Sequence, residues 1–220
     1  MTIRIELEGT SPPIWRRVAV PADVTLGDLH AVIQVAMGWE DDHLHEFVLR
    51  RINGGVDVED LIARMEDPDS IAELRRGGRR MRVNFQSSTS PYGDPMPIEM
   101  GEDEDAFTLQ ELCPKTRGRL TYVYDFGDSW EHRITVEKAK TPGLTEADAP
   151  VCLDGAEACP PEDSGGLFGY YGKLDALTND EDPEYHEMAL EWLGEDYDPH
   201  AFDIDAVNAV FATWRPKPNG

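Results

Sequence analysis

Leu120-Thr121-Tyr122-Val123-Tyr124-Asp125-Phe126-Gly127-Asp128-Ser129-Trp130-Glu131-His132-Arg133-Ile134-Thr135-Val136-Glu137 decides the fold. Leu120, Tyr122 and Tyr124 alternate with Thr121, Val123 and Asp125. After Gly127-Asp128, Trp130, His132, Ile134 and Val136 alternate with Glu131, Arg133, Thr135 and Glu137. A period of two on both sides of a Gly-Asp turn predicts an antiparallel hairpin with one apolar face.

The same period recurs upstream. Ile3, Ile5 and Leu7 alternate with charged residues, and Ile14 to Val20 reads as their partner after Gly9-Thr10-Ser11-Pro12-Pro13. Thr25 offers an N-cap with Asp28 three residues on; Leu26, Leu29, Ile33 and Met37 form a helical stripe that Gly38 ends. His43 to Arg50 returns to strand period. Leu61 to Arg76 is amphipathic but broken at Asp67-Pro68-Asp69, and Arg79 to Phe85 reads as a further strand. Ser87 to Asp105 has no periodicity and reads as a loop. Thr108 to Glu111 matches a capping box. Three late helices are expected over Gly165–Leu177, Glu184–Leu193 and Ile204–Trp214, the last capped by Asp203 or Asp205. The fold class is α+β: a mostly antiparallel sheet built from hairpins in the first two thirds, helices packed on it and a helical C-terminal third. The 220 residues suit one domain, with a sheet-rich core over 1–140 and a loop and helical part over 141–220.

A hydrophobic fraction of 40% supports a packed core, and 44 acidic against 20 basic residues give a formal net charge of −24. Such a surface repels phosphate backbones and anionic membranes, so nucleic acid is a poor partner. One local exception, Arg75-Arg76-Gly77-Gly78-Arg79-Arg80-Met81-Arg82, reads either as a solvated turn and strand edge or as a phosphate contact. No apolar run approaches the ~20 residues of a membrane span, and the opening residues alternate like a strand instead of forming a leader, so a cytoplasmic protein is expected. Cys113, Cys152 and Cys159 are odd in number and read as free thiols.

Three segments concentrate the chemistry: Gly38 to His45, Tyr124 to His132, and Cys159-Pro160-Pro161-Glu162-Asp163-Ser164-Gly165-Gly166. On a strand, His43 and His45 project to one face about 6–7 Å apart, close enough to share an ion. Otherwise one caps the preceding helix while the other packs on Trp39. His132 lies on the apolar hairpin face with Trp130, so it is either a satisfied core histidine or lines a pocket. Asp125 and Asp128 bracket a turn where acids are ordinary. Glu162 and Asp163 sit on a loop stiffened by Pro160-Pro161 and opened by Gly165-Gly166, presenting carboxylates to a cation or capping the next helix. If His43, His45, His132 and a carboxylate such as Asp163 meet, mixed nitrogen and oxygen ligation favours a divalent transition metal such as zinc over magnesium. Trp39, Trp130 and Glu131 are the candidate pocket or interface residues beside it.

Pro13-Ile14-Trp15-Arg16-Arg17, Leu29-His30, Ala36-Met37-Gly38-Trp39, His43-Leu44-His45, the segment Tyr124 to His132, and Pro160-Pro161-Glu162-Asp163 with Gly165-Gly166 and Gly169-Tyr170 together resemble the Ri-plasmid ORF-3-like family over nearly the whole chain. The resemblance implies a compact α+β protein of a plasmid- and chromosome-borne family, some members of which carry the label of a resolvase-like passenger of an insertion element. It also implies that relatives often have Cys where this chain has Ser164, so a thiolate cluster with Cys152 and Cys159 is incomplete here. The leading expectation is a non-enzymatic binding or accessory module of a plasmid- or mobile-element-associated family, with a protein or small-molecule partner. The alternative is a metal-dependent hydrolase using Asp125, Asp128 or Glu162 as general base. A DNA-processing, resolvase-like role stands third.

Overall fold

A computed structural model describes residues 1–77, 81–98, 101–138, 149–178 and 183–215. In chain order these form β1 (Thr2–Leu7), β2 (Trp15–Ala19), α1 (Leu26–Met37), β3 (His45–Leu49), α2 (Val58–Arg64), α3 (Pro68–Arg76), β4 (Val83–Gln86), β5 (Glu102–Asp103), α4 (Leu109–Leu112), β6 (Arg119–Tyr124), β7 (Trp130–Glu137), β8 (Val151–Ala156), α5 (Gly166–Thr178), α6 (Pro183–Leu193) and α7 (Ile204–Phe211). The eight strands make one sheet in the order β5-β4-β3-β6-β7-β1-β2-β8, antiparallel except for the β4–β5 pair. The α+β class therefore holds.

The decisive hairpin folds as its periodicity dictates. Tyr122 pairs with His132 and Tyr124 with Trp130, so the apolar set of both strands lies on one face. Trp130, His132, Ile134 and Val136 are buried there, and α1 covers that face with Leu26, Leu29, Val32 and Ile33 fully out of solvent. Each such side chain stabilises the fold by about 1.5–3 kcal/mol relative to an exposed position. The opposite face carries a lattice of partly exposed ion pairs: Arg17 meets Glu137 and Asp154, Arg133 meets Glu6 and Glu8, and Arg50 meets Glu131. Pairs of this kind contribute about 0–1 kcal/mol each.

Local signals set the end of α1. The Thr25 hydroxyl accepts from the Asp28 amide at 3.1 Å, and Gly38 closes the helix at φ 88°, donating its N–H to the Gln34 carbonyl. The buried Arg16 guanidinium then donates to the Ala36 carbonyl at 2.9 Å, adding a cation at the negative end of the helix. Burial holds this guanidinium below its usual pKa.

Two strands lie where no strand was expected. β8 falls in the part read as loop and helix; its pairing with β2 and its docking to α7 come from elsewhere in the chain. The Asn208 side chain on α7 accepts from the Cys152 amide at 2.8 Å and donates to the Cys152 carbonyl at 3.0 Å, which covers this edge of the sheet. β5 is two residues inside the aperiodic stretch, and the buried Glu102 carboxylate holds it by accepting from the Glu66 and Asp67 amides ahead of α3. The strand read at 79–85 is found as Val83–Gln86, and Gly78 to Arg80 of the arginine run lie outside the described residues.

Candidate functional site

Three loops meet at one end of the sheet: the exit of α1, the β6–β7 turn and the segment after β8. Trp39 anchors them. The left-handed Gly38 turns it inward, its indole Nε1–H donates to the Pro160 carbonyl at 2.9 Å, and its ring stacks on Tyr124 at 4.9 Å between centroids. The Tyr124 hydroxyl accepts from the Asp42 and His43 amides and donates to Glu162 Oε1 at 2.8 Å. Glu162 Oε1 also accepts from the Glu40 amide at 2.8 Å. Burial, with the neighbouring Glu162 carboxylate, pushes the Tyr124 phenol well above its usual pKa, so it remains a donor.

The β6–β7 turn joins the third loop through Asp128. Its Oδ2 accepts from the Gly165 amide at 2.9 Å. Gly166 adopts φ +65°, and a Cβ there would lie 2.6 Å from the Asp128 carbonyl oxygen. Gly166→Ala is therefore expected to destabilise the protein by about 2 kcal/mol, whereas Gly165→Ala, whose nearest atom is 3.4 Å away, is expected to cost about 1 kcal/mol. Urea unfolding of the two variants measures the difference.

Two polar clusters grow from these loops. In the first, His43 Nε2 faces Asp163 Oδ1 at 3.3 Å, Glu162 Oε2 at 3.8 Å and Asp125 Oδ2 at 3.9 Å. Asp125 and Asp163 hold φ values of 53° and 56°, a left-handed backbone that short polar residues tolerate. The second cluster contains His30 and His45, whose rings stack 3.5 Å apart and 4° from parallel. The Asp41 amide donates to Gln34 Oε1 at 3.1 Å, and Gln34 Nε2 donates to the Tyr122 hydroxyl at 2.9 Å. That leaves the phenol proton for His30 Nδ1 at 2.8 Å, so His30 carries its own proton on Nε2 toward Asp41 Oδ1 at 2.7 Å. A closed ring of four residues results, completed through the Asp41 backbone amide. Burial, reinforced by the adjacent His45, holds His30 below its usual pKa, in keeping with this neutral tautomer. His45 Nε2 meets Glu104 Oε2 at 2.8 Å, a carboxylate that is 0% exposed.

His30, Asp41 and His45 of the second cluster form the floor of a cavity of about 500 Å³. Leu44, Met96, Pro97 and Phe126 contribute its apolar walls, with Ser87, Thr89 and Ser90 on the loop that closes it.

Of the residues singled out from sequence, His43, Asp125, Glu162 and Asp163 come together, and Asp128 ties two of their loops. His43 and His45 do not share a strand face. β3 begins at His45, so His43 stays in the loop and the two rings enter different clusters. His132 is fully buried beneath Trp39, its Nδ1–H donating to the Trp130 carbonyl at 3.0 Å, away from both sets of carboxylates. Trp130 is buried beside it, and Glu131 points to the opposite face toward Arg50. His30, Gln34, Tyr122 and Glu104 were not expected at a site, and Asp41, within the Gly38 to His45 segment, was not singled out as one of its residues. A histidine four residues after Leu26 on an apolar helix face is a signal for His30; Glu104, in an aperiodic stretch, carries none.

An α+β protein whose described residues form an eight-stranded sheet, with aromatic-anchored loops over one end of it, is the class that fold and site define. The chain belongs to the plasmid pRiA4b ORF-3-like protein family, whose model matches residues 1–206. It is 32% identical over 220 residues to the uncharacterized protein y4hQ of Sinorhizobium fredii (strain NBRC 101917 / NGR234), covering 98% of this chain and 94% of that one. It is also similar to the crystal structure of a protein of unknown function, MM3350 from Methanosarcina mazei Go1. That match has a TM-score of 0.63 and 33% identity, covering 93% of this chain and 94% of the other. Among the described residues no helix is long and apolar enough to cross a membrane.

Proposed function

We propose that this protein is a binding module that takes a small neutral or cationic organic molecule in the cavity above the His30–His45 pair. The observation that carries the reading is the pairing of apolar walls with a single carboxylate, Asp41, at the floor. Phe126 and Leu44 are half-exposed apolar groups at the rim, and no lysine or arginine is among the lining residues. Pockets for small molecules combine apolar lining with a few fixed polar groups. Here Asp41 is fixed through Oδ1 and its amide, while Oδ2 has no partner among the described residues and is free to accept from a ligand amine or hydroxyl. A chain with net charge −24 adds long-range attraction for a cation and repulsion for an anion.

Calorimetric titration with benzylamine and with its anionic counterpart benzoate tests the reading. Benzylamine is expected to bind the wild type and to lose about tenfold in affinity in Asp41→Asn, roughly 1.4 kcal/mol, while benzoate gives no heat. Phe126→Ala is expected to weaken benzylamine further by removing an apolar wall. Equal binding of both probes, or binding indifferent to Asp41, refutes it.

A further inference from the structure

His43 stands apart from the other histidines that face carboxylates in this fold. His30 closes on Asp41 at 2.7 Å, His45 on Glu104 at 2.8 Å and His200 on Glu157 at 2.6 Å. His43 has three carboxylates before it and closes on none, its Nε2 standing off at 3.3, 3.8 and 3.9 Å. That nitrogen is sealed from solvent and has no hydrogen-bond partner. A polar atom left so is costly in a native structure, and an ion or water is among the ordinary explanations.

The carboxylates are also held in a telling way. Glu162 spends Oε1 on the Tyr124 hydroxyl and the Glu40 amide, and Asp125 spends Oδ1 on the Gly127 amide at 2.8 Å. Each is left with one oxygen, Oε2 and Oδ2, directed at His43. Outer hydrogen bonds that orient one carboxylate oxygen and leave the other toward a common centre are the usual support of metal ligands. Ligand atoms sharing an ion at bonds of about 2.1 Å in tetrahedral array stand about 3.4 Å from one another, close to the spacing around His43 Nε2.

We infer that His43, Asp125 and Asp163, whose ligand atoms all lie within 4.8 Å of one another, form a divalent-cation site, with the Glu162 carboxylate held beside it 3.8 Å from His43 Nε2. One imidazole with carboxylates suits zinc or manganese, and magnesium less, because magnesium prefers oxygen and keeps its waters. The ion supplies two positive charges among three carboxylates and gives the sealed Nε2 its partner. The site is separate from the cavity floor, where Asp41 pairs with His30, so it stands or falls independently of the small-molecule reading.

The test is calorimetric titration of the full, untagged chain, stripped with a chelator, with zinc chloride, manganese chloride and magnesium chloride. One zinc or manganese ion per chain is expected, bound at least tenfold more tightly than magnesium. His43→Ala and Asp125→Asn are expected to lower that affinity at least 100-fold, and Tyr124→Phe, which frees Glu162, about tenfold. The exposed Asp163→Asn gives a variant whose folding is not in question, with an expected loss of at least tenfold. His200→Ala is expected to change nothing. Cobalt substitution adds a second reading: a visible band in the wild type that His43→Ala lacks. No binding at one ion per chain, binding that survives His43→Ala and Asp163→Asn, or binding that His30→Ala abolishes in their place overturns the inference.

Discussion

Lowering the pH from 6.5 to 4 is expected to remove about 3 kcal/mol of stability through His132 alone. Burial pushes this imidazole down to about 3, its bond to the Trp130 carbonyl offsetting only part of the penalty, against about 6.5 in the unfolded chain. The folded protein thus keeps His132 neutral while the unfolded chain takes up a proton below pH 6.5. Stability falls as the pH drops, with a slope of about 1.4 kcal/mol per pH unit until the folded form also protonates near pH 3. His30, also held below its usual value, acts in the same direction. Carboxylates titrate in this range too, so the discriminating measurement is a difference. In urea unfolding at a series of pH values, His132→Phe is expected to show a slope shallower than the wild type by about 1.4 kcal/mol per unit between pH 6 and 4. Parallel slopes would mean that His132 is charged or solvated in the native state.

Trp39→Ala is expected to be the most damaging single substitution at the three-loop junction, costing about 3–5 kcal/mol. The indole is buried, stacks on Tyr124, meets His132 edge-on at 5.2 Å and lies 6.2 Å from Trp130. Its removal opens a cavity among aromatic rings and leaves the Pro160 carbonyl without its donor. For a chain of this length the melting temperature is expected to drop by roughly 10 °C. Trp39→Phe keeps most of the ring and loses the bond to Pro160, so about 1–2 kcal/mol is expected. A small effect in both variants would show that the loops are held without this anchor.

The elements that could be read from sequence are those whose cause is local. The β6–β7 hairpin follows from alternation around Gly127-Asp128, and the structure pairs Tyr122 with His132 accordingly. Helix α1 follows from Thr25, its apolar stripe and Gly38, and the Thr108–Glu111 capping box forms as its four residues specify. β8 and β5 escaped because neither is specified by its own residues: one depends on β2 and Asn208, the other on the amides before α3. His43 and His45 were placed on one face by strand period, but the strand starts two residues later than that reading required. The Tyr124 hydroxyl, which takes the Asp42 and His43 amides, keeps that segment in the loop.

By itself the sequence determined the antiparallel hairpins, the caps of α1 and α4, the acidic surface and the three segments in which the polar and aromatic residues gather. These depend on contacts between residues two to four positions apart, whose geometry is the same in any protein. Only the tertiary structure decided that His43 meets Asp125, Glu162 and Asp163 while His45 stacks on His30, and that His132 is closed inside the core. Those outcomes turn on meetings between distant segments, such as the Trp39 indole with Pro160 and the Tyr124 hydroxyl with Glu162. An angstrom or two there separates a hydrogen bond from a stand-off, and no local periodicity carries that information.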